Sequence, residues 1–235
     1  MIVFRSLIFA LAFYAWSILI GLAMVPLLLA PRGWMMAAMR FWGLGVLTMM
    51  RPICGIRVEF RGIGNLANGA ALIAAKHQCM FDTMGPFTRF DDACYVMKKE
   101  LTRIPFYGWY CAKVGMIVVD REGRSKALRK LLTDGKAVLA AGRQLVIYPE
   151  GTRVAPGETG DYHPGIAALY RAEGLPCVPL ATNSGVHWPA HGFLRRPGTI
   201  VYEFLEPIPA GLPRANFMQV LEERLEAASR ALLSE

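Results

Sequence analysis

His77 and Asp82 stand five residues apart in the run His77-Gln78-Cys79-Met80-Phe81-Asp82. An imidazole can take up a proton near neutral pH, and a carboxylate beside it fixes its tautomer and supports the imidazolium that forms. Further along lies Tyr148-Pro149-Glu150-Gly151-Thr152-Arg153. Gly151 permits a tight turn, and Arg153 can meet a phosphate through two parallel hydrogen bonds. Glu150 can bind a substrate hydroxyl or anchor the turn to a neighbouring backbone amide. Asp120-Arg121 offers a further cation. Each feature alone is ordinary, since a histidine at a strand end is often structural and an arginine usually ends in a surface ion pair. Their joint occurrence, a base with its carboxylate and a turn ending in a cation, carries the weight. Cys79 is a second nucleophile candidate with His77 as its base, but residues two apart point away from each other on either a strand or a helix.

Strands must deliver these side chains. Short apolar runs at residues 57–60, 70–75, 117–119, 145–148, 177–181 and 200–204, each bounded by Gly, Pro, Asp or Asn, read as strands. His77, Asp120-Arg121 and Glu150-Arg153 all follow such runs, where a sheet opens onto a cleft. Helical spacing over 125–141 is interrupted by Asp134-Gly135, a shorter helix covers 166–173, and Asn216 with Gln219 reads as the capping start of a last helix whose face is Phe217, Val220, Leu221 and Leu225. The alternation predicts an α/β domain over 52–235 with a mixed, partly parallel sheet flanked by helices. Gly62-Ile63-Gly64-Asn65-Leu66-Ala67 matches a dinucleotide fingerprint, but the next strand follows too soon for the required helix. It reads as a glycine-rich hairpin or loop.

Residues 1–51 are of another kind. No charged residue occurs from Ser6 to Ala30, and Pro26, Pro31 and Gly33 separate this run from a second apolar segment, Gly33 to Met50, interrupted by Arg40. A membrane-anchoring pair of helices is expected, favoured over a single clean span by Trp16, Trp34 and Trp42, which suit an interface. A cleaved leader fits poorly, because the run is long and Leu28-Leu29-Ala30-Pro31 lacks a small-residue cleavage site. Arg5 precedes the first segment while Arg32, Arg40 and Arg51 follow it, which points to a catalytic domain on the cytoplasmic face.

A net charge of +8 attracts anionic partners. A nucleic-acid binder of this charge rarely carries 54% hydrophobic residues with a mean hydropathy of +0.33; a lipid surface suits both values, and no nucleic-acid partner is expected. The five cysteines have no C-x-x-C pair and no regular spacing. They predict reduced, buried thiols rather than a disulfide framework or a zinc site.

The blocks, taken in order, resemble those of the 1-acyl-glycerol-3-phosphate acyltransferases, the PlsC family. His77 and Asp82 match its His-x4-Asp block. Gly115 to Arg121 is similar to the second block, with Val118 where an aromatic residue often stands. Tyr148 to Arg153 resembles Phe-Pro-Glu-Gly-Thr-Arg, and Val178-Pro179-Leu180-Ala181 corresponds to the fourth. Cys79 replaces a frequent Ser or Thr and Val154 a usual Ser, departures that bear on which acceptor is used. The resemblance implies a glycerolphosphate acyltransferase-like fold and transfer of a fatty acyl group from acyl-CoA or acyl carrier protein to the sn-2 hydroxyl of lysophosphatidic acid. It implies His77 as base, Asp82 as its orienting partner, Arg153 with Arg121 on the acceptor phosphate, Glu150 helping to position the glycerol, and Gly151 and Thr152 in the same substrate-binding turn. Backbone amides around Gly151 are expected to receive the oxyanion, with no cofactor, metal or acyl-enzyme required. Relatives use glycerol 3-phosphate, other lysophospholipids or lyso-ornithine lipids, so the acceptor stays open. So does a non-catalytic, membrane-bound lipid-binding protein.

Overall fold

The computed structural model describes residues 1–66, 68–120 and 123–234. Seven strands form one mixed sheet in the order β1-β7-β6-β2-β5-β3-β4. They are β1 (Ile56–Arg61), β2 (Ala71–Ala75), β3 (Ala93–Lys98), β4 (Ile117–Val119), β5 (Gln144–Ile147), β6 (Cys177–Thr182) and β7 (Gly198–Phe204). All neighbours run parallel except β6 and β7. The carboxyl ends of β2, β5, β3 and β4 therefore lie along one edge.

Side chains alternate across the sheet with the period of two that a strand dictates. In β2, Ala71, Ile73 and Ala75 join one core, while Leu72 and Ala74 join the other. The first core is roofed by α1 (Ile2–Ala23) and α2 (Arg32–Cys54), with α3 (Tyr107–Lys113) beside them. The second packs against α4 (Arg124–Ala140), α5 (Gly165–Glu173) and α7 (Arg214–Ala231). A short α6 (Ser184–His187) follows β6. With apolar residues facing both ways, the sheet is buried on both faces, as parallel sheets require.

The two N-terminal helices form an antiparallel hairpin joined by a 3-10 turn at Val25–Leu28. Arg5 Nε donates to the Ile53 carbonyl, Trp16 Nε1 to the Trp42 carbonyl at 3.0 Å, and Trp42 Nε1 to Ser17 Oγ at 3.1 Å. Trp16 and Trp42 thus pin the helices to each other, while Trp34 is exposed. The hairpin lies on the domain, and its Met35, Met36, Val46 and Met50 are part of the first core. The expected boundary at residue 51 falls inside α2, which runs on to Cys54. The outer face of α1 is bare, with Phe4, Leu7, Leu11, Tyr14, Ile18 and Leu22 exposed.

Two sequence expectations need correction, and one strand lies outside all of them. β3 was not anticipated, because Ala-Cys-Tyr-Val-Met-Lys carries few β-branched residues. Asp134-Gly135 does not break α4, since a Cβ on Gly135 would come within 2.6 Å of Leu169 Cδ2 and the glycine serves close packing against α5. Asn216 is no cap; α7 starts at Arg214 behind Pro213, whose fixed φ suits that position. Of the two readings of the glycine-rich segment after β1, hairpin or loop, the loop holds, because β1 and β2 are not neighbours. It forms a loop with a 3-10 turn at Ile63–Asn65, and its Ala67 lies outside the described residues.

Candidate active site

The site stands at the carboxyl end of β2. Beyond the strand, Met80–Thr83 winds into a 3-10 turn whose third residue, Asp82, reaches back to the amides that lead into it. Asp82 Oδ2 accepts from the amides of Gln78 at 2.6 Å and Cys79 at 2.8 Å and meets His77 Nδ1 at 3.0 Å. Its Oδ1 accepts from the Ser184 and Tyr202 hydroxyls and, at 3.6 Å, from Cys79 Sγ. A local turn thus aims the carboxylate at the imidazole.

Asp82 is fully buried. Burial alone would push its carboxyl up, but the hydrogen bond and charge of His77, the Cys79 amide and the Ser184 hydroxyl hold it below the ordinary carboxylate value. Burial and the Asp82 charge push the Tyr202 phenol well up, so it stays a donor. A carboxylate only accepts, so the His77 proton sits on Nδ1 and Nε2 is left with a free lone pair. The His77 ring stacks on Tyr148 at 4.1 Å between centroids, and the Tyr148 hydroxyl donates to the Asp82 carbonyl at 2.9 Å. The imidazole is 15% exposed.

Cys79 is no candidate nucleophile by geometry. It is fully buried, bonded to Ser184 and Asp82, and its thiol is pushed well up, first by burial and then by the Asp82 charge. All five cysteines are buried and unpaired.

The Glu150–Arg153 turn is brought to His77 by the Val154 amide, which donates to the His77 carbonyl at 2.8 Å. Gly151 adopts φ +63°, a left-handed conformation that favours glycine. Its amide donates to the Tyr148 carbonyl at 2.9 Å, so the expectation that it would receive an oxyanion meets an amide already engaged. Thr152 and Arg153 are exposed, and Arg153 Nη1 donates to the Ala190 carbonyl at 3.1 Å. Glu150 faces inward, 3% exposed, bonding Lys76 Nζ at 2.7 Å and the Gly160 amide at 2.9 Å. Of its two expected fates, the geometry matches the anchor of the turn and not a contact with substrate. Asp120 pairs with Lys99 at 2.9 Å on the same edge. Arg121 lies outside the described residues.

Other residues at the site were not singled out from the sequence. Ser184 follows the fourth block directly, and Tyr202 lies in an expected strand, yet neither position announced a bond to Asp82 from about a hundred residues away. Lys98 ends β3 at the site edge and is exposed; it was missed with its strand. Trp188 stacks on Phe81, 5.3 Å between centroids, meets Phe9 of α1 edge-on at 5.5 Å, and carries the Arg195 guanidinium at 4.0 Å. Trp188 therefore links the apolar hairpin to the turn that holds Asp82.

With this geometry in view, residues 57–183 match the family model described as Acyltransferase. The chain belongs to the Acyltransferase family. Among its relatives, a 1-acyl-sn-glycerol-3-phosphate acyltransferase of Pseudomonas aeruginosa is 36% identical over 159 residues, covering 68% of this chain and 62% of the relative. One from Saccharomyces cerevisiae is 30% identical over 170 residues, covering 68% and 54%. The match to the Helicobacter pylori protein of that description covers 43% of each chain at 41% identity. In each case the chain spans less than two thirds of the curated relative. In fold, it superimposes on the crystal structure of PlsC, the 1-acyl-sn-glycerophosphate acyltransferase of Thermotoga maritima, with a TM-score of 0.80 over 100% of both chains at 19% identity.

Proposed function

We propose that the chain transfers a fatty acyl group from an acyl thioester, either acyl-CoA or acyl carrier protein, to the sn-2 hydroxyl of 1-acyl-glycerol 3-phosphate, giving phosphatidic acid for phospholipid synthesis. The observation that carries this reading is the His77-Asp82 pair, open at Nε2 and joined through the His77 backbone to the turn that presents Arg153. His77 Nε2 takes the hydroxyl proton as the oxygen attacks the thioester carbonyl. The C–O bond forms, the C–S bond breaks, and the proton passes to the departing thiolate. Asp82 holds the tautomer and stabilises the imidazolium between these steps. Arg153 exchanges its carbonyl contact for the acceptor phosphate, with Arg121 as its helper in this reading. The cations at the strand ends, Lys98 among them, favour the negative charge that develops on the carbonyl oxygen.

The reading places the reaction at a membrane surface. Acceptor and product are lipids, and withdrawing an acyl chain into water costs about 0.8 kcal/mol per CH2. The bare face of α1 supplies the contact, with the catalytic domain on the cytoplasmic side. Known relatives named for the same reaction, together with the family match, support it.

The test is acyl transfer by the detergent- or bilayer-embedded protein from a long-chain acyl-CoA, then from acyl carrier protein, to a panel of lyso-acceptors and glycerol 3-phosphate. Lysophosphatidic acid is expected to lead. His77→Ala should lose about 10²- to 10⁴-fold in kcat, and Arg153→Ala should raise the acceptor KM about tenfold or more. Preference for another acceptor would overturn the substrate assignment, and transfer to none would favour a lipid-binding protein.

A further inference from the structure

Lys76 precedes His77, and its side chain leaves in the opposite direction. The alternation that sends Leu72 and Ala74 to the core under α7 continues through Lys76, whose amide still pairs with the Leu180 carbonyl at 2.9 Å. There its ammonium bonds Glu150 Oε1 at 2.7 Å, Glu226 Oε1 of α7 at 2.6 Å and the Glu158 carbonyl at 3.0 Å. All three charged residues are at most 5% exposed. Glu226 also accepts from Tyr162 at 2.8 Å and Thr159 at 3.2 Å, and Arg230 braces Thr159 at 2.9 Å.

Such a cluster is a poor way to gain stability, because apolar packing of similar volume holds a fold as well as buried charges do. What it supplies is geometry. It joins the residue before the base, the first residue of the Arg153 turn and a helix from the far end of the chain. On the front of the sheet the same turn is tied to His77 by the Val154 amide. Glu150 hangs from Lys76 and Gly160 by one oxygen, its Oε2 being buried without a partner. Removing the Glu226 charge takes from Lys76 one of its two carboxylate partners and loosens the frame from which Glu150 hangs.

We propose that Lys76, Glu150 and Glu226 form a positioning clamp that sets Arg153 relative to His77, so that α7, on the opposite face of the sheet, governs how the anionic acceptor is engaged. The kinetic part of this inference rests on the acyl-transfer reading; the structural part does not.

The test uses the full chain with Glu226→Gln, which keeps the size and the acceptor oxygen but removes the charge, and Glu226→Asp as the conservative variant. Amide hydrogen exchange across residues 150–160 should quicken about tenfold in Glu226→Gln, while residues 71–75 stay protected. The acceptor KM should rise about five- to tenfold with the thioester KM within about twofold, and Glu226→Asp should recover part of that loss. Unchanged exchange over 150–160 would overturn the clamp. So would a loss of activity that tracks only the folded fraction, with both KM values unmoved. A wild-type enzyme that acylates no acceptor would defeat the functional reading instead, and the exchange experiment would still decide the clamp.

Discussion

The carboxylate of Asp82 receives more donors than any other side chain described above, and their arrangement decides what a substitution does. Two backbone amides, an imidazole, two hydroxyls and a thiol converge on its two oxygens. In Asp82→Asn, one oxygen becomes an NH2, so at least two of these donors face another donor in either amide orientation. The His77 tautomer is then free to reverse, placing a proton on Nε2, where the lone pair is needed. Asp82→Asn should therefore lower kcat about 10²- to 10⁴-fold and cost about 2–4 kcal/mol of stability for the stranded donors. Steady-state kinetics and a denaturant titration measure the two effects separately. Much of this site is legible in the sequence, because His77, Asp82 and the capping turn lie within a few residues. Ser184 and Tyr202 are not legible, since their contact with Asp82 arises only when β6 and β7 return beside β2. Glu150 shows the same limit: the sequence leaves open a ligand or an anchor, and only the long-range partners Lys76 and Glu226 separate them.

Among the elements, the hairpin and the sheet are joined by charge as well as by apolar packing. Arg32, at the start of α2, makes a two-pronged ion pair with Asp92, and Arg143 Nε reaches the same carboxylate at 2.9 Å. Arg40, the charge interrupting the second apolar segment, caps the carbonyls of Phe90 and Asp91. The hydrogen bond from Arg32 holds the Asp92 carboxyl below its ordinary value, aided by Arg143 against partial burial. A carboxyl lowered in the folded state contributes stability above its unfolded pKa and loses it as pH falls through the folded one. Asp92→Asn should thus be less stable than the wild type by about 1–2 kcal/mol at neutral pH, given partial exposure. The difference should close below about pH 4. Thermal melts from pH 3 to 7 read this directly. The sequence shows both apolar segments, because composition alone marks them, but it gives no sign that Arg32 and Arg40 serve the domain. It misses β3 for a related reason: that strand is held by β5 and β4 on either side, so neighbours supply what its residue preferences do not.

Across the whole molecule, Trp188 joins the inner side of the hairpin to the turn at the carboxyl end of β2, and the exposed apolar row of α1 lies on the hairpin's outer side. A clean deletion of residues 1–54 would strip Met35, Met36, Val46 and Met50 from the core and so confuse attachment with folding. Substitution on the bare face avoids this. Leu11→Asp with Ile18→Asp should reduce partition onto lipid vesicles by about 3–5 kcal/mol, combining lost apolar burial with introduced charge. Activity toward a detergent-dispersed acceptor should stay within about twofold, since neither residue packs inward. Vesicle flotation and a micellar assay check the two halves. The five sealed cysteines have a consequence of their own. Burial raises the Cys111 thiol to about 11 and that of Cys177 to about 12, so little thiolate exists at neutral pH. An enzyme of the proposed kind liberates a free thiol at every turnover, and this one exposes no sulfur of its own with which that product could form a mixed disulfide.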